Sequence, residues 1–255
     1  MEKQQKILDL LAKYTELGIE NAVDFKKFNQ YLVSHHSTSI EGSTLTYIET
    51  TVLLEQGLTP KGKPLVHTLM QKDHYDALVF TLENAKTSAY TPAFIQQINA
   101  KVMRNTGQVY QTALGAVDAT KGEYRKGTVF AGQTTFVNYA KIESLLYALC
   151  QKIEAKLQEP LSVIAQLTFA FEVHYELVYI HPFYDGNGRT SRLLMNALQT
   201  HFDLPLAIVF AEDKVAYIEA LIAAKKAENT QPFIDFMFEQ YQKHLSQIIL
   251  SIDNE

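Results

Sequence analysis

Apolar residues recur at helical spacing over most of this 255-residue chain. Ile7, Leu8, Leu11, Tyr14 and Leu17 form one stripe, closed by Gly18. Phe25, Phe28, Tyr31 and Leu32 predict a second helix. Thr46-Tyr-Ile-Glu49 has the form of a capping box and opens a helix that stops at Gly57. Pro60 to Pro64 reads as a loop, followed by a long helix to about Lys86. Thr91-Pro92 pairs an N-cap with a proline at the first helical position. Further helices are predicted over about Tyr139–Leu157, Leu161–Tyr179, Gly188–Phe202, Asp213–Glu228 and Gln231–Ile252. One stretch breaks the rhythm. Glu123 to Val137 is rich in β-branched and aromatic residues with glycines at 127 and 132, and predicts an irregular β-hairpin. The expected fold class is all-α, mostly helical, with one small hairpin, and no repeat or linker divides it.

Composition narrows the function classes. Hydrophobic residues make up 47% and charged residues 20%, as in a globular protein with a buried core. The formal net charge of -5 argues against nucleic-acid or anionic-membrane partners. No apolar run reaches membrane-spanning length and no hydrophobic leader is visible, so a cytoplasmic protein is expected. The single cysteine, Cys150, lies in an apolar run and reads as a buried structural thiol.

The chemistry concentrates in HPFYDGNGRTSR, residues 181–192. Gly186-Asn187-Gly188 precedes a helix whose first amides lack intrahelical partners, a setting suited to phosphate, although such a run is also an ordinary turn. Arg189 and Arg192 project from one helical face, where two like charges need an anion or carboxylate between them. Asp185 fits either a helix cap or a ligand for a hard cation such as magnesium. His181 precedes a proline, which favours an extended backbone, and a neutral imidazole there can accept a proton. Phe183 reads as a pin to the core. A base, a cation ligand, an anion nest and two clamps together suit transfer of a phosphate-linked group. His35-His36 cannot face one way on a helix and suggests no metal site; His174 reads as a core residue or a support to the loop.

This stretch resembles the Fic family signature, His-Pro-Phe-x-(Asp/Glu)-Gly-Asn-Gly-Arg-x-x-Arg, at every specified position. The resemblance extends over roughly residues 65–202, and more loosely beyond. It implies an N-terminal region over 1–62, a catalytic core over 63–204 and C-terminal helices over 205–255, in one structural unit. It also implies a protein adenylyltransferase that moves AMP from ATP to a Ser, Thr or Tyr hydroxyl, with ATP and Mg2+ required. His181 would be the base and Asp185 the magnesium ligand. Gly186, Asn187, Gly188, Arg189 and Arg192 would hold the phosphates. Tyr124, Arg125, Val129 and Phe130 look like the target-docking flap, which adds a strand to its substrate. A second stretch, Ser37-Thr-Ser-Ile-Glu41-Gly42, resembles the family's inhibitory motif, which places Glu41 against Arg192 with Ser37 and Gly42 framing it. The implied partners are a target protein, the chain itself as substrate, and a second copy in a homodimer. The single tyrosine and the lysine of Tyr217 to Lys225 depart from the family's adenine-side pattern and leave the nucleotide base open. A de-AMPylating hydrolase acting through Glu41, or a nucleotide-responsive regulator with little turnover, are the alternative functions.

Overall fold

Three of the α-helices start at a residue whose side chain caps them. Thr46 Oγ1 accepts from the Glu49 amide at 3.2 Å, and the Glu49 carboxylate accepts from the Thr46 amide at 2.8 Å. Thr91 caps the Phe94 amide at 3.2 Å with Pro92 as the first helical residue, and Ser162 caps Ala165. The structure is a computed structural model that describes residues 2–131 and 134–253.

Among the described residues the order is α1 (Glu2–Glu16), α2 (Phe25–Ile40), α3 (Tyr47–Gln56), α4 (Leu65–Asn84), α5 (Pro92–Val102), β1 (Val109–Thr112), β2 (Gly115–Asp118), β3 (Phe130–Ala131), β4 (Thr134–Thr135), α6 (Ile142–Leu157), α7 (Val163–Ile180), α8 (Asn187–His201), α9 (Lys214–Ala227) and α10 (Gln231–Asp253). The chain is mostly helical, as its periodicity predicts. The hairpin expected over residues 123–137 is narrower than that span: β3 pairs antiparallel with β4 in the register Phe130↔Thr135, and its turn lies outside the described residues. A second hairpin, β1–β2, was not predicted. Its four-residue strands are largely exposed, so no run of alternating apolar residues marks them.

α8 is the axis of the molecule. Between Asn187 and Gln199 every residue but Gly188 is buried. It packs against α7, α4, α5 and α2. Leu193, Leu194, Ala197 and Leu198 face this packing fully buried. α1 lies against α10, and α10 against α7 and α9, so residues from both ends of the sequence enter the same apolar core. Cys150 is buried in α6, and the apolar surroundings push its thiol up to about 12, where it is inert. Surrounded on all sides, α8 nonetheless carries two arginines in its first two turns, and the site is built around them.

Candidate active site

The loop before α8 is held from beneath by α5. Asn99, fully buried, donates from Nδ2 to Asp185 O and to Thr190 Oγ1, both at 3.1 Å. Asn187 folds its amide back over the loop: Oδ1 accepts from Phe183 N at 3.0 Å, and Nδ2 donates to Phe183 O at 2.9 Å. Phe183 is 1% exposed, the pin the sequence suggests. Gly186 sits at φ 77°, and a Cβ there would lie 2.7 Å from Asn99 Nδ2 and 2.8 Å from Met103 Sδ. Any other residue there would strain the positive φ and push aside the side chains of Asn99 and Met103. Sequence reasoning missed Asn99 and Met103, because nothing local links them to a loop more than eighty positions downstream.

His181 departs from the extended backbone expected before proline. It takes the left-handed conformation, φ 50°, and caps α7 by donating its amide to Leu177 O at 3.0 Å. Two anchors from the segment before the flap offset that strain: Arg125 Nε donates to His181 O at 2.7 Å, and Arg125 N to Pro182 O at 2.9 Å. The imidazole lies face to face on Phe136, with ring centroids 3.6 Å apart and planes 13° apart. Nδ1 contacts Val178 O at 3.2 Å. A carbonyl only accepts, so Nδ1 carries the proton and Nε2 keeps its lone pair. Burial lowers the imidazole to about 4, which leaves it neutral and unprotonated at neutral pH.

Arg189 and Arg192 are both buried, 2% and 3% exposed. Arg189 Nη2 donates to Asp185 Oδ1 at 3.1 Å and meets Met103 Sδ at 3.4 Å. Asp185 Oδ1 also accepts from Gly186 N at 2.5 Å, while half of its side chain stays open to solvent. Arg192 is gripped by α2: Nε donates to Ser37 Oγ and Nη2 to Ser37 O, both at 2.9 Å, and Nη2 reaches Glu41 Oε1 at 2.6 Å. Arg189 Nε and Nη1 and Arg192 Nη1 are buried donors with no partner among the described residues. Gly188 lies directly below the Glu41 carboxylate, for a Cβ on it would come within 2.6 Å of Glu41 Oε1.

Glu41 follows the last turn of α2, with Gly42 next at φ 102°. Protein atoms crowd it, yet 31% of its side chain remains reachable by water, so it borders an open cleft rather than a sealed interior. Burial pushes its carboxyl up, but Arg192 and Arg189 outweigh that and hold it below the usual carboxylate range. Behind Arg192 stands Tyr217, 4% exposed, whose hydroxyl lies 2.9 Å from His174 Nε2. Tyr217 is thus a buried support for the arginine, with no free face for stacking. Lys225, one helix face along, donates to Thr135 O at 2.7 Å and ties α9 to the flap.

The four flap residues separate. Phe130 is 67% exposed and Val129 is half-buried. Tyr124 packs on Phe183. Arg125 does not face outward as a docking residue would. It is 2% exposed, and its guanidinium donates to the carbonyls of His181, Gly127, Val137 and Ile180. No donor face is left for a partner; Arg125 fastens the flap to the loop. His36 also proves structural, accepting from Ala211 N at 3.1 Å. Among the described residues no cluster of three or more His, Cys, Asp or Glu could hold a metal. A cavity of about 680 Å³ lies away from this cleft, between α1, α2 and the far end of α8.

A central helix whose start offers unpaired donors, faced by a neutral histidine and a carboxylate from a distant helix, defines a helical protein with an anion-receptive cleft. Residues 89–199 match the model of the Fic/DOC family. The chain is 31% identical over 213 residues to the protein adenylyltransferase Fic of Drosophila melanogaster, and 30% to that of Drosophila erecta. Both matches take in 83% of this chain and 40% of the relative, so the chain spans about two fifths of the length of the curated relatives it matches. A Fic domain containing signaling protein from Bacteroides thetaiotaomicron has the same fold, with a TM-score of 0.81 at 24% identity over 98% of each chain. The chain belongs to the Fic/DOC family.

Proposed function

We propose that this chain transfers AMP from ATP to a hydroxyl of a target protein, releasing pyrophosphate, and that Glu41 holds the reaction back. The observation that carries this reading is the set of three partnerless buried donors on Arg189 and Arg192, beside the uncapped start of α8. Buried guanidinium groups left unpaired are costly, and a polyphosphate would satisfy them together with the free amides of the first helical turn. The curated Drosophila relatives named as adenylyltransferases make ATP the expected donor.

His181 takes the target's hydroxyl proton on Nε2 while Nδ1 stays on Val178 O. The hydroxyl oxygen forms the new bond to the α-phosphorus, and the bond to pyrophosphate breaks. Asp185 keeps half of its side chain open to the cleft, a hard oxygen suited to magnesium. The cation would take its other oxygens from phosphate and water, and would neutralise phosphate charge. Phe130 at the exposed hairpin edge offers the target's backbone a strand to pair with.

The brake follows from the contact of Glu41 with Arg192 and with Gly188. The carboxylate stands where the outer phosphate of a donor must meet Arg192, so it repels the nucleotide and occupies its clamp. ATP labelled at the α-phosphate tests both parts. Glu41→Gly is expected to raise label transfer to self or lysate proteins at least tenfold over wild type, and Glu41→Gly/His181→Ala to abolish it. Equal transfer by wild type and Glu41→Gly would remove the brake; transfer surviving His181→Ala would remove the assigned base.

A further inference from the structure

The cavity behind the cleft has a definite chemistry. Its walls are apolar, from Leu8 and Leu11 of α1, Phe25 of α2, Leu82 of α4, and Val163 and Leu206. Of the uncharged polar side chains that line it, which include Thr15, Asn29 and Thr200, two are buried: Tyr14, 6% exposed, and Gln30, 9% exposed. Neither the Tyr14 hydroxyl nor the Gln30 amide has a hydrogen-bond partner among the described residues. Neither group is sealed from water, so both stand open toward the cavity and are free to pair with what enters it. The charges at the rim cancel: Lys26 and Glu20 are of opposite sign, and Asp203 is already paired with Lys86. Burial, helped by Glu20, raises the Tyr14 phenol to about 12, so it remains a donor. A volume of about 680 Å³ is that of a small-molecule site.

We propose that this cavity binds an uncharged molecule with an apolar body and a single amide- or carbonyl-type head, which Tyr14 and Gln30 recognise. The hydroxyl donates to the head's carbonyl oxygen, and the Gln30 amide supplies both a donor and an acceptor. The apolar walls take the body, and the balanced rim gives no advantage to a carboxylate or an ammonium. α2 forms part of the wall and also carries Ser37, so an occupant touches the helix that grips Arg192. Binding itself does not depend on the transfer reading, and its test reads binding alone.

Titration calorimetry of the full chain with N-octylacetamide, and with octanoate and octylammonium as charged counterparts, decides it. Wild type is expected to bind N-octylacetamide saturably at one site, at least tenfold more tightly than either charged probe. Gln30→Leu is expected to weaken binding at least tenfold by removing the head's partner. Leu11→Trp is expected to abolish it by filling the cavity. Thermal unfolding checks that both variants fold, and the shift of the Tyr14 ring signals on adding the probe to wild type reports the site without any substitution. No saturable binding to wild type, an unmoved Tyr14 signal, or equal binding by Gln30→Leu would overturn the proposal, leaving a cavity that holds only water. Tighter binding of a charged probe would overturn the neutral head.

Discussion

At the scale of single residues, the site works through atoms that cannot be moved far. Phe136 shows this most directly. It lies flat on His181 at 3.6 Å and covers one face of the ring, which helps to hold the plane of the imidazole and with it the direction of the Nε2 lone pair. Aromatic stacking of this kind contributes about 0.5–1.5 kcal/mol beyond buried area. Phe136→Ala in the Glu41→Gly background is therefore expected to slow AMP transfer about tenfold, with Phe136→Tyr restoring most of it. Unchanged rates in Phe136→Ala would show that the backbone cap at Leu177 and the Val178 contact suffice to orient the base. The signature itself was legible in the sequence, since its spacing is local: His181, Asp185, Arg189 and Arg192 fall on one loop and the start of one helix. The Phe136 stack was not, because ring contact across forty-five positions leaves no local pattern. Nor was the left-handed turn at His181, where tertiary hydrogen bonds override the preference that Pro182 imposes.

At the scale of elements, the flap and the loop are one mechanical piece, and Arg125 joins them. Its four bonds to main-chain carbonyls replace the pairing that so short a hairpin cannot supply. Arg125→Met keeps the volume but leaves those carbonyls without their donor. The expected cost is about 3 kcal/mol or more in urea unfolding, with faster proteolysis around residues 126–137. A loss under about 1 kcal/mol would mean that solvent replaces the guanidinium and the flap is held elsewhere. Read as a sequence, the tyrosine and arginine beside the flap looked like docking residues; burial turned one of them into its fastening. The helices were better forecast because caps and periodicity act within a few residues, as at Thr46, Thr91 and Gly57. The β1–β2 hairpin escaped since its pairing rests on four backbone steps with almost no apolar face.

At the scale of the whole molecule, burial of imidazoles sets the response to acid. Burial lowers His35, His36, His74, His174, His181 and His244, with His36 and His181 brought to about 4 and His244 to about 3. A histidine whose folded pKa lies below its unfolded value binds more protons when unfolded. The stability it contributes is complete above the unfolded value of 6.5 and declines as pH falls toward the folded value. Asp73, whose carboxyl burial raises, acts in the opposite direction, the one such carboxyl among the described residues against these six imidazoles. Unfolding stability is expected to fall by at least about 3 kcal/mol between pH 7.5 and pH 5, a limit of roughly 1.4 kcal/mol per group and pH unit being far from reached. A flat profile over that range in urea titrations would show that the imidazoles gain protons without opening the core.

The contact between Ser37, Glu41 and Arg192 joins positions 155 and 151 residues apart. A ribosome makes the chain from one end, at roughly 5–20 residues per second. α2 is therefore complete about seven to thirty seconds before the loop and α8 are translated. The arginine emerges into a molecule that already holds its partner. On that timetable no nascent chain displays the anion-receptive loop without the carboxylate at hand, and a circular permutant opened between α3 and α4 would reverse the order of arrival.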